Sequence, residues 1–140
     1  MITLTETSLL RISNPNFYPQ KLFKVFNTKI LQMENELRVI KEVILGTAKK
    51  YRIELEKIIL FGSRARGENK EDSDWDILIV TKEKLDKRAK DRFVLEVRRE
   101  IVWRLGEPVD IIVTDRRKYE KYEHVYGSVI GQAANEGVTV

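Results

Sequence analysis

Three short runs of apolar residues constrain the fold of this chain more than any other feature. They are KIILFG at residues 57–62, WDILIV at 75–80 and PVDIIV at 108–113. Each run is rich in β-branched residues and has the length of a buried strand rather than a helix. The proline that opens the third run suits the first residue of a strand, where its missing N–H is tolerated. We therefore predict three buried strands.

Helical patterns precede and separate these runs. From about Lys21 to Tyr51, apolar residues recur at three- and four-residue steps, which predicts a helix with one buried stripe. A break between Asn27 and Asn35 would divide it into two helices, and the sequence leaves this alternative open. A second helix is predicted over residues 83–105. Trp103, on that helix, is predicted to lie in the core among its apolar neighbours.

The helix at 83–105 determines how the second and third strands are arranged. A strand, a helix of this length and another strand usually form a right-handed parallel crossover, so both strands start at the same sheet edge. If the first strand runs antiparallel to them, its end at Gly62 reaches that edge as well. The predicted fold is α+β, with a small mixed β-sheet of at least three strands flanked by helices.

Three aspartates fall at the edge where these strands start. Asp74 and Asp76 are two residues apart at the entry to the second strand and project from one face, with Trp75 on the other. Asp110 lies near the start of the third strand and can join them. Carboxylates packed this closely repel one another, and a cation relieves the repulsion. The chain has no cysteine and only one histidine, so the natural ligand is a hard divalent cation such as Mg²⁺.

A phosphate site is expected beside these carboxylates, because Mg²⁺ commonly completes its coordination with substrate phosphates. Gly62 allows close backbone approach, and Ser63 with the N–H groups of a short following helix can face a polyphosphate. Arg64 adds positive charge, so Gly62, Ser63 and Arg64 are the predicted nucleotide-binding residues. Arg66 either contacts phosphate as well or braces an acidic loop residue such as Asp72.

Composition limits the remaining choices. Hydrophobic residues make up 42% and charged residues 34% of 140 residues, which suits one domain with a charged surface. No apolar run approaches the ~20 residues of a membrane span, and the N-terminus lacks the order of a signal peptide. We expect a cytoplasmic protein. The net charge of +4 permits direct nucleic-acid binding but does not favour it over other partners.

The residues at the predicted site match a known signature. Gly62-Ser63, ten residues and then Asp74-x-Asp76 resemble the motif of DNA polymerase beta-like nucleotidyltransferases, and Asp110 fits the third carboxylate of that superfamily. The segments GSRARG (residues 62–67) and GSVIGQAANEGVTV (residues 127–140) are similar to those of the minimal nucleotidyltransferases, which include MntA-type antitoxins.

The resemblance covers about residues 35–140. We therefore predict a nucleotidyltransferase domain at residues 31–140 and take residues 1–30 as an N-terminal arm or extension.

The resemblance implies transfer of a nucleoside monophosphate, most simply AMP from ATP, to a hydroxyl group, with pyrophosphate leaving and two Mg²⁺ ions at the phosphates. By this likeness Asp74 and Asp76 bind both ions. Asp110 binds the ion at the acceptor and takes the proton of the attacking hydroxyl.

The resemblance also implies a partner. Larger relatives add an acceptor-binding domain for which this chain has no length, so we expect a partner to supply that surface. Minimal members often pair with a small helical HEPN-type protein, and some act as antitoxins that adenylylate one of its tyrosines. Two alternatives stay open: an antitoxin module that binds NTP or a partner without turnover, and a transferase for a small molecule such as an aminoglycoside. The base, the acceptor and the oligomeric state, including a homo-oligomer, also stay open.

Overall fold

The computed structural model describes residues 20–66 and 74–140. Along these residues the elements are α1 (Gln20–Lys50), β1 (Leu55–Phe61), α2 (Ser63–Arg66), β2 (Trp75–Thr81), α3 (Lys87–Leu105), β3 (Val109–Asp115), α4 (Arg116–Tyr122), α5 (Val129–Glu136) and β4 (Val138–Thr139).

The strands form one mixed sheet in the order β3-β2-β1-β4. β2 and β3 are parallel, joined by the crossover helix α3, whereas β1 runs antiparallel to β2 and β4 runs antiparallel to β1. The predicted mixed sheet flanked by helices is confirmed, and so is the antiparallel direction of the first strand. The starts of β2 and β3 and the end of β1 consequently share one edge.

Helix α1 runs from Gln20 to Lys50 without a break, so of the two alternatives left open by the sequence the single helix is confirmed and the division near Asn27 to Asn35 is not. Residues 20–45 contain neither glycine nor proline, and asparagine alone is too weak a helix breaker to end a helix of this length. The predicted boundary at residue 30 falls within this helix, while residues 1–19 of the proposed arm lie outside the described residues. The division into an arm and a domain stays a prediction.

Helix α3 has clear signals at both ends. The Asp86 carboxylate accepts a hydrogen bond from the Ala89 N–H at 2.8 Å, which caps the first turn and starts the helix later than the predicted residue 83. Gly106 ends the helix at φ 67°, a left-handed conformation that glycine adopts without steric cost. This change from right-handed helical backbone to the left-handed conformation of Gly106 turns the chain towards Pro108 and β3.

Apolar side chains cover both faces of the sheet. One layer lies between the sheet and helices α1 and α3, and its strand residues include Trp75, Ile77 and Ile79. The second layer includes Leu78 and Val80 and lies under α4 and α5. Because side chains alternate along a strand, Asp76 belongs to the second face.

Trp103 is 85% exposed, so its predicted place in the core is wrong. The buried stripe of α3 is Phe93, Val97 and Ile101, spaced four residues apart. Trp103 comes two residues after Ile101, about 200° further round the helix, and therefore faces away from that stripe. Over the part of the chain that the structure describes, no helix combines the length and apolar character that crossing a bilayer requires.

Candidate active site

The parallel register of β2 and β3 places two of the predicted aspartates side by side. Asp76 and Asp110 are direct neighbours in the ladder, and Trp75 is the neighbour of Val109. Asp74 comes immediately before β2, at the same edge. Asp76 is half-buried, whereas Asp74 and Asp110 are exposed. The edge thus holds one sheltered carboxylate between two that solvent and ligands can reach.

The electrostatics of this edge are unfavourable for the carboxylate in the middle. Burial raises the pKa of Asp76, and the negative charges of Asp110 and Asp74 raise it further. The positive charge of Arg66 lowers this pKa but does not offset the other effects. A cation bound here would relieve the repulsion, so the site favours a positively charged ligand.

Gly62 lies against the Asp76 carboxylate. Phe61, the last residue of β1, pairs with Asp76 in the antiparallel ladder, which brings the Gly-Ser turn to the aspartates as predicted. A Cβ atom on Gly62 would lie 2.2 Å from Oδ2 of Asp76, well inside van der Waals contact. The backbone there also has φ 77°, which favours glycine. Gly62 therefore leaves the space that the carboxylate occupies.

Ser63 opens α2, a single turn of helix in which the Arg66 N–H donates to the Gly62 carbonyl at 3.2 Å. Its side chain is half-buried and adjoins Gly62 beside the aspartates. The predicted nucleotide contacts of Gly62 and Ser63 stay predictions, and their location is consistent with them.

The Arg64 side chain takes part in a buried cluster on the other face of the sheet. Only 6% of it is exposed, and its guanidinium lies 3.6 Å from the Glu36 carboxylate and 3.3 Å from that of Glu107. It also stacks over the Trp75 ring at 4.2 Å, and the Trp75 Nε1–H donates to Glu107 at 2.6 Å. We call Glu36, Arg64, Trp75 and Glu107 the arginine cluster.

The arginine cluster connects the segments that carry the aspartates. Trp75 lies between Asp74 and Asp76 in sequence, and Glu107 precedes Asp110 by three residues. Burial raises the pKa of Glu36, the nearby Glu107 carboxylate raises it further, and Arg64 opposes both effects. These contacts favour a positioning role for Arg64, and its predicted contact with the nucleotide stays a prediction.

Sequence reasoning missed Glu36 and Glu107. They belong to a helix and a loop far apart in the chain, and no spacing between them indicates a contact. The signal that was available is the pairing of an arginine in the Gly-Ser turn with a tryptophan flanked by aspartates, since arginine commonly stacks on tryptophan.

Arg66 points to helix α5. Its guanidinium lies 3.0 Å from Oε1 of Glu136, which also accepts a hydrogen bond from Gln132 at 2.9 Å. Arg66 is also close enough to lower the pKa of Asp76. The other partner considered from the sequence, Asp72, lies outside the described residues. Arg66 thus joins the aspartates to α5, and its contact with phosphate stays a prediction.

The donors at this edge fit a hard divalent cation. They are carboxylate oxygens, the ligands that Mg²⁺ prefers. Burial first, and then the negative charges of Asp110 and Asp74, raise the pKa of Asp76, and a bound cation would oppose these effects. Within residues 20–66 and 74–140, no three His, Asp or Glu side chains are already drawn together as metal ligands are. The register makes Asp76 and Asp110 direct neighbours in the ladder, and metal binding by these side chains stays a prediction.

Comparisons with known proteins show the family of this chain. The family model described as "Polymerase beta, Nucleotidyltransferase" matches residues 42–136. A candidate protein adenylyltransferase of Methanocaldococcus jannaschii is 37% identical over 87 residues, which are 62% of this chain and 81% of that protein. The family model's match at residues 42–136 includes most of the described residues.

Solved structures share part of this shape. A candidate nucleotidyltransferase from Sulfolobus solfataricus is 25% identical, with a TM-score of 0.48 over 76% of this chain and 83% of that one. A complex of a tri-AMPylated Shewanella oneidensis HEPN toxin with an MNT antitoxin gives 24% identity and a TM-score of 0.44 over 77% of this chain and 70% of that one.

Proposed function

This chain belongs to the polymerase beta nucleotidyltransferase family, and from that premise we propose that it transfers AMP from ATP to a tyrosine hydroxyl of a partner protein. The observation that carries the proposal is the parallel register that sets Asp76 beside Asp110, with Gly62 packed against Asp76. Acidic side chains beside a Gly-Ser turn support a site that binds a metal and a triphosphate next to the acceptor.

We propose different roles for the three aspartates. Asp74 and Asp76 would hold Mg²⁺, two ions by family likeness, which when bound neutralises charge on the phosphates. The acceptor oxygen attacks the α-phosphorus of ATP, an oxygen–phosphorus bond forms, and the bond to the bridging oxygen breaks to release pyrophosphate. Asp110 accepts the proton that the hydroxyl loses, a role that its exposure to an incoming acceptor supports.

A protein is the acceptor that we favour. The 37% identical relative is named as a candidate protein adenylyltransferase, and the ending of this chain is similar to minimal nucleotidyltransferases that pair with HEPN-type proteins. Among the described residues, Asp74 and Asp110 are exposed at the edge where β2 and β3 start, which supports approach by a side chain of another protein. Within this proposal the chain acts in the cytoplasm as the antitoxin of a toxin–antitoxin pair and inactivates its HEPN-type partner by modification.

The test is a labelling reaction with the protein encoded beside this chain. Each of the four α-³²P-labelled NTPs is incubated with both proteins and Mg²⁺, and the modified residue is located by mass spectrometry. We expect label from ATP on a partner tyrosine. Asp76→Asn should lower labelling by about a hundredfold or more, because it removes a group on which transition-state charge stabilisation depends.

Asp91→Asn is the matched control, since Asp91 is an exposed aspartate on α3 away from the three site aspartates. It should label as the wild type does. Equal labelling by Asp76→Asn and wild type would remove the proposed site. Binding of ATP and of the partner without any pyrophosphate release would instead support the non-catalytic antitoxin module.

A further inference from the structure

A second charged cleft lies at the sheet edge opposite the aspartates. It has a volume of about 700 Å³ and is lined by the ends of β2 and β3, the loop after β2 and helix α4. Thr81 and Asp115 end these strands five residues after Asp76 and Asp110, so the cleft is about 17 Å from the aspartates along the strands. Six basic residues line it: Lys82, Lys84, Lys90, Arg117, Lys118 and Lys121. We call the cavity that these six residues line the basic cleft.

Little of this positive charge is neutralised by the protein. Of the six, only Lys82 has an ion pair among the described residues, with Glu54 at 3.8 Å. The acidic lining residues are Glu83 and Asp115, and the Asp115 carboxylate accepts a hydrogen bond from the Lys118 N–H at 3.0 Å. Like charges placed together without counter-charges favour a polyanionic ligand.

Two buried threonines add to the lining of the cleft. The Thr81 hydroxyl lies within hydrogen-bond distance of the Glu83 carbonyl at 2.6 Å and the Thr114 carbonyl at 3.2 Å. Oγ1 of Thr114 is buried and has no hydrogen-bond partner among the described residues.

We propose that the basic cleft binds the phosphodiester backbone of single-stranded nucleic acid. Six cationic side chains line a cleft of about 700 Å³, which offers volume and charge for more than one phosphate. The half-buried Tyr122 also lines the cleft, and the Lys121 ammonium lies 5.4 Å from the centre of its ring, so an aromatic ring and a cation adjoin there for a base and its phosphate. The site is separate from the proposed transferase site and does not depend on it.

The lining distinguishes a nucleic acid from an acidic protein. Protein interfaces have an apolar centre, whereas interfaces with nucleic acid are more polar and far more positively charged. Apart from Tyr122, the apolar residues of this cleft are Leu85 and Val113, and the remaining lining is polar or charged. The six basic residues of the lining therefore favour a polyanionic backbone over a partner held by an apolar centre.

The test measures binding of a fluorescent 12-nucleotide single-stranded RNA to the full chain by anisotropy, over a series of salt concentrations. DNA of the same sequence shows which sugar is preferred. The variant is Lys118→Ala with Lys121→Ala, two exposed positions on α4. We expect at least tenfold weaker binding, with the log–log salt slope reduced by about 1.4 for two lost phosphate contacts.

Lys41→Ala with Lys49→Ala is the matched control, because it removes the same charge from exposed positions on α1. Its affinity should stay within about twofold of the wild type. Asp76→Asn should also keep its affinity for RNA, since the aspartates lie at the other edge.

Three results would overturn the proposal. The control could weaken binding as much as the variant, which would show non-specific charge attraction. Polyglutamate could bind the same lysines more tightly than either nucleic acid, which would assign the cleft to an acidic protein. A failure of both RNA and DNA to bind the wild type at low salt would also overturn the proposal.

Discussion

At the scale of single residues, Gly62 is the position where the candidate site tolerates substitution least. Gly62→Ala places a Cβ atom 2.2 Å from the Asp76 carboxylate on a backbone with φ 77°. Left-handed backbone costs a residue with a side chain about 1–2 kcal/mol, and the overlap adds to that cost. We expect a loss of about 2 kcal/mol or more in the free energy of unfolding, measured by urea denaturation, and transfer near background.

Gly46→Ala is the control for this prediction. Gly46 lies in α1, and an added Cβ atom would meet nothing within 4 Å. Alanine in a helix interior is more favourable than glycine, so this variant should gain up to about 1 kcal/mol and keep its activity. A Gly62→Ala protein as stable and active as the wild type would show that Gly62 does not support Asp76.

Asp76 should also affect how the stability of the folded protein depends on pH. Its pKa in the folded protein is raised, so between the unfolded and folded pKa values the native state binds more protons than the unfolded state. Without Mg²⁺, the contribution of Asp76 is therefore fully present at low pH and is lost as pH rises through this window. Asp76→Asn should raise the melting temperature by a few degrees at pH 7, with a smaller gain at pH 4.

Added Mg²⁺ should reverse the order of the two melting temperatures, so that the wild type melts above Asp76→Asn. The ion stabilises a protein that binds it in the folded state, so wild type should gain melting temperature with Mg²⁺ and Asp76→Asn should gain little. If Asp76→Asn melts below the wild type at pH 7 without metal, the carboxylate stabilises the fold instead of opposing it. Differential scanning fluorimetry at the two pH values measures all of these quantities.

At the scale of elements, the arginine cluster joins α1, α2, the start of β2 and the loop before β3. Arg64→Lys keeps one positive charge but loses the planar fork that lies against Glu36, Glu107 and the Trp75 ring. We expect the protein to lose about 1–3 kcal/mol in the free energy of unfolding. We also expect kcat to fall about tenfold with little change in KM for ATP, since the aspartates shift relative to one another.

Steady-state kinetics distinguish this positioning role from the nucleotide contact predicted from the sequence. A direct contact with phosphate would raise KM for ATP when it is weakened. Trp75→Phe is the companion variant, since it keeps a ring for stacking but removes the N–H that donates to Glu107. It should lower kcat less than Arg64→Lys does. A raised KM with unchanged kcat in Arg64→Lys would contradict the positioning role.

At the scale of the whole molecule, the sequence predicted the features that depend on local pattern and handedness. Three apolar runs with a helix between the last two predicted a parallel pair, and that pair sets Asp76 beside Asp110. The contacts of Arg64 with Glu36 and Glu107 could not be predicted, because they depend on how α1 and the loop before β3 pack around the short helix α2. The apolar neighbours of Trp103 predict a core position, but its angle on α3, about 200° from Ile101, turns the side chain away from the core.

The central claim is that the carboxylates at the start of β2 and β3 jointly bind the metal that serves the nucleotide. Crystals grown with Mn²⁺ and a non-hydrolysable ATP analogue test it most directly, because anomalous scattering locates the ion independently of any structural model. The account predicts a peak within about 2.2 Å of oxygens from Asp76 and Asp74 or Asp110, with the phosphates beside Gly62. Bound nucleotide with its metal away from these aspartates would contradict it.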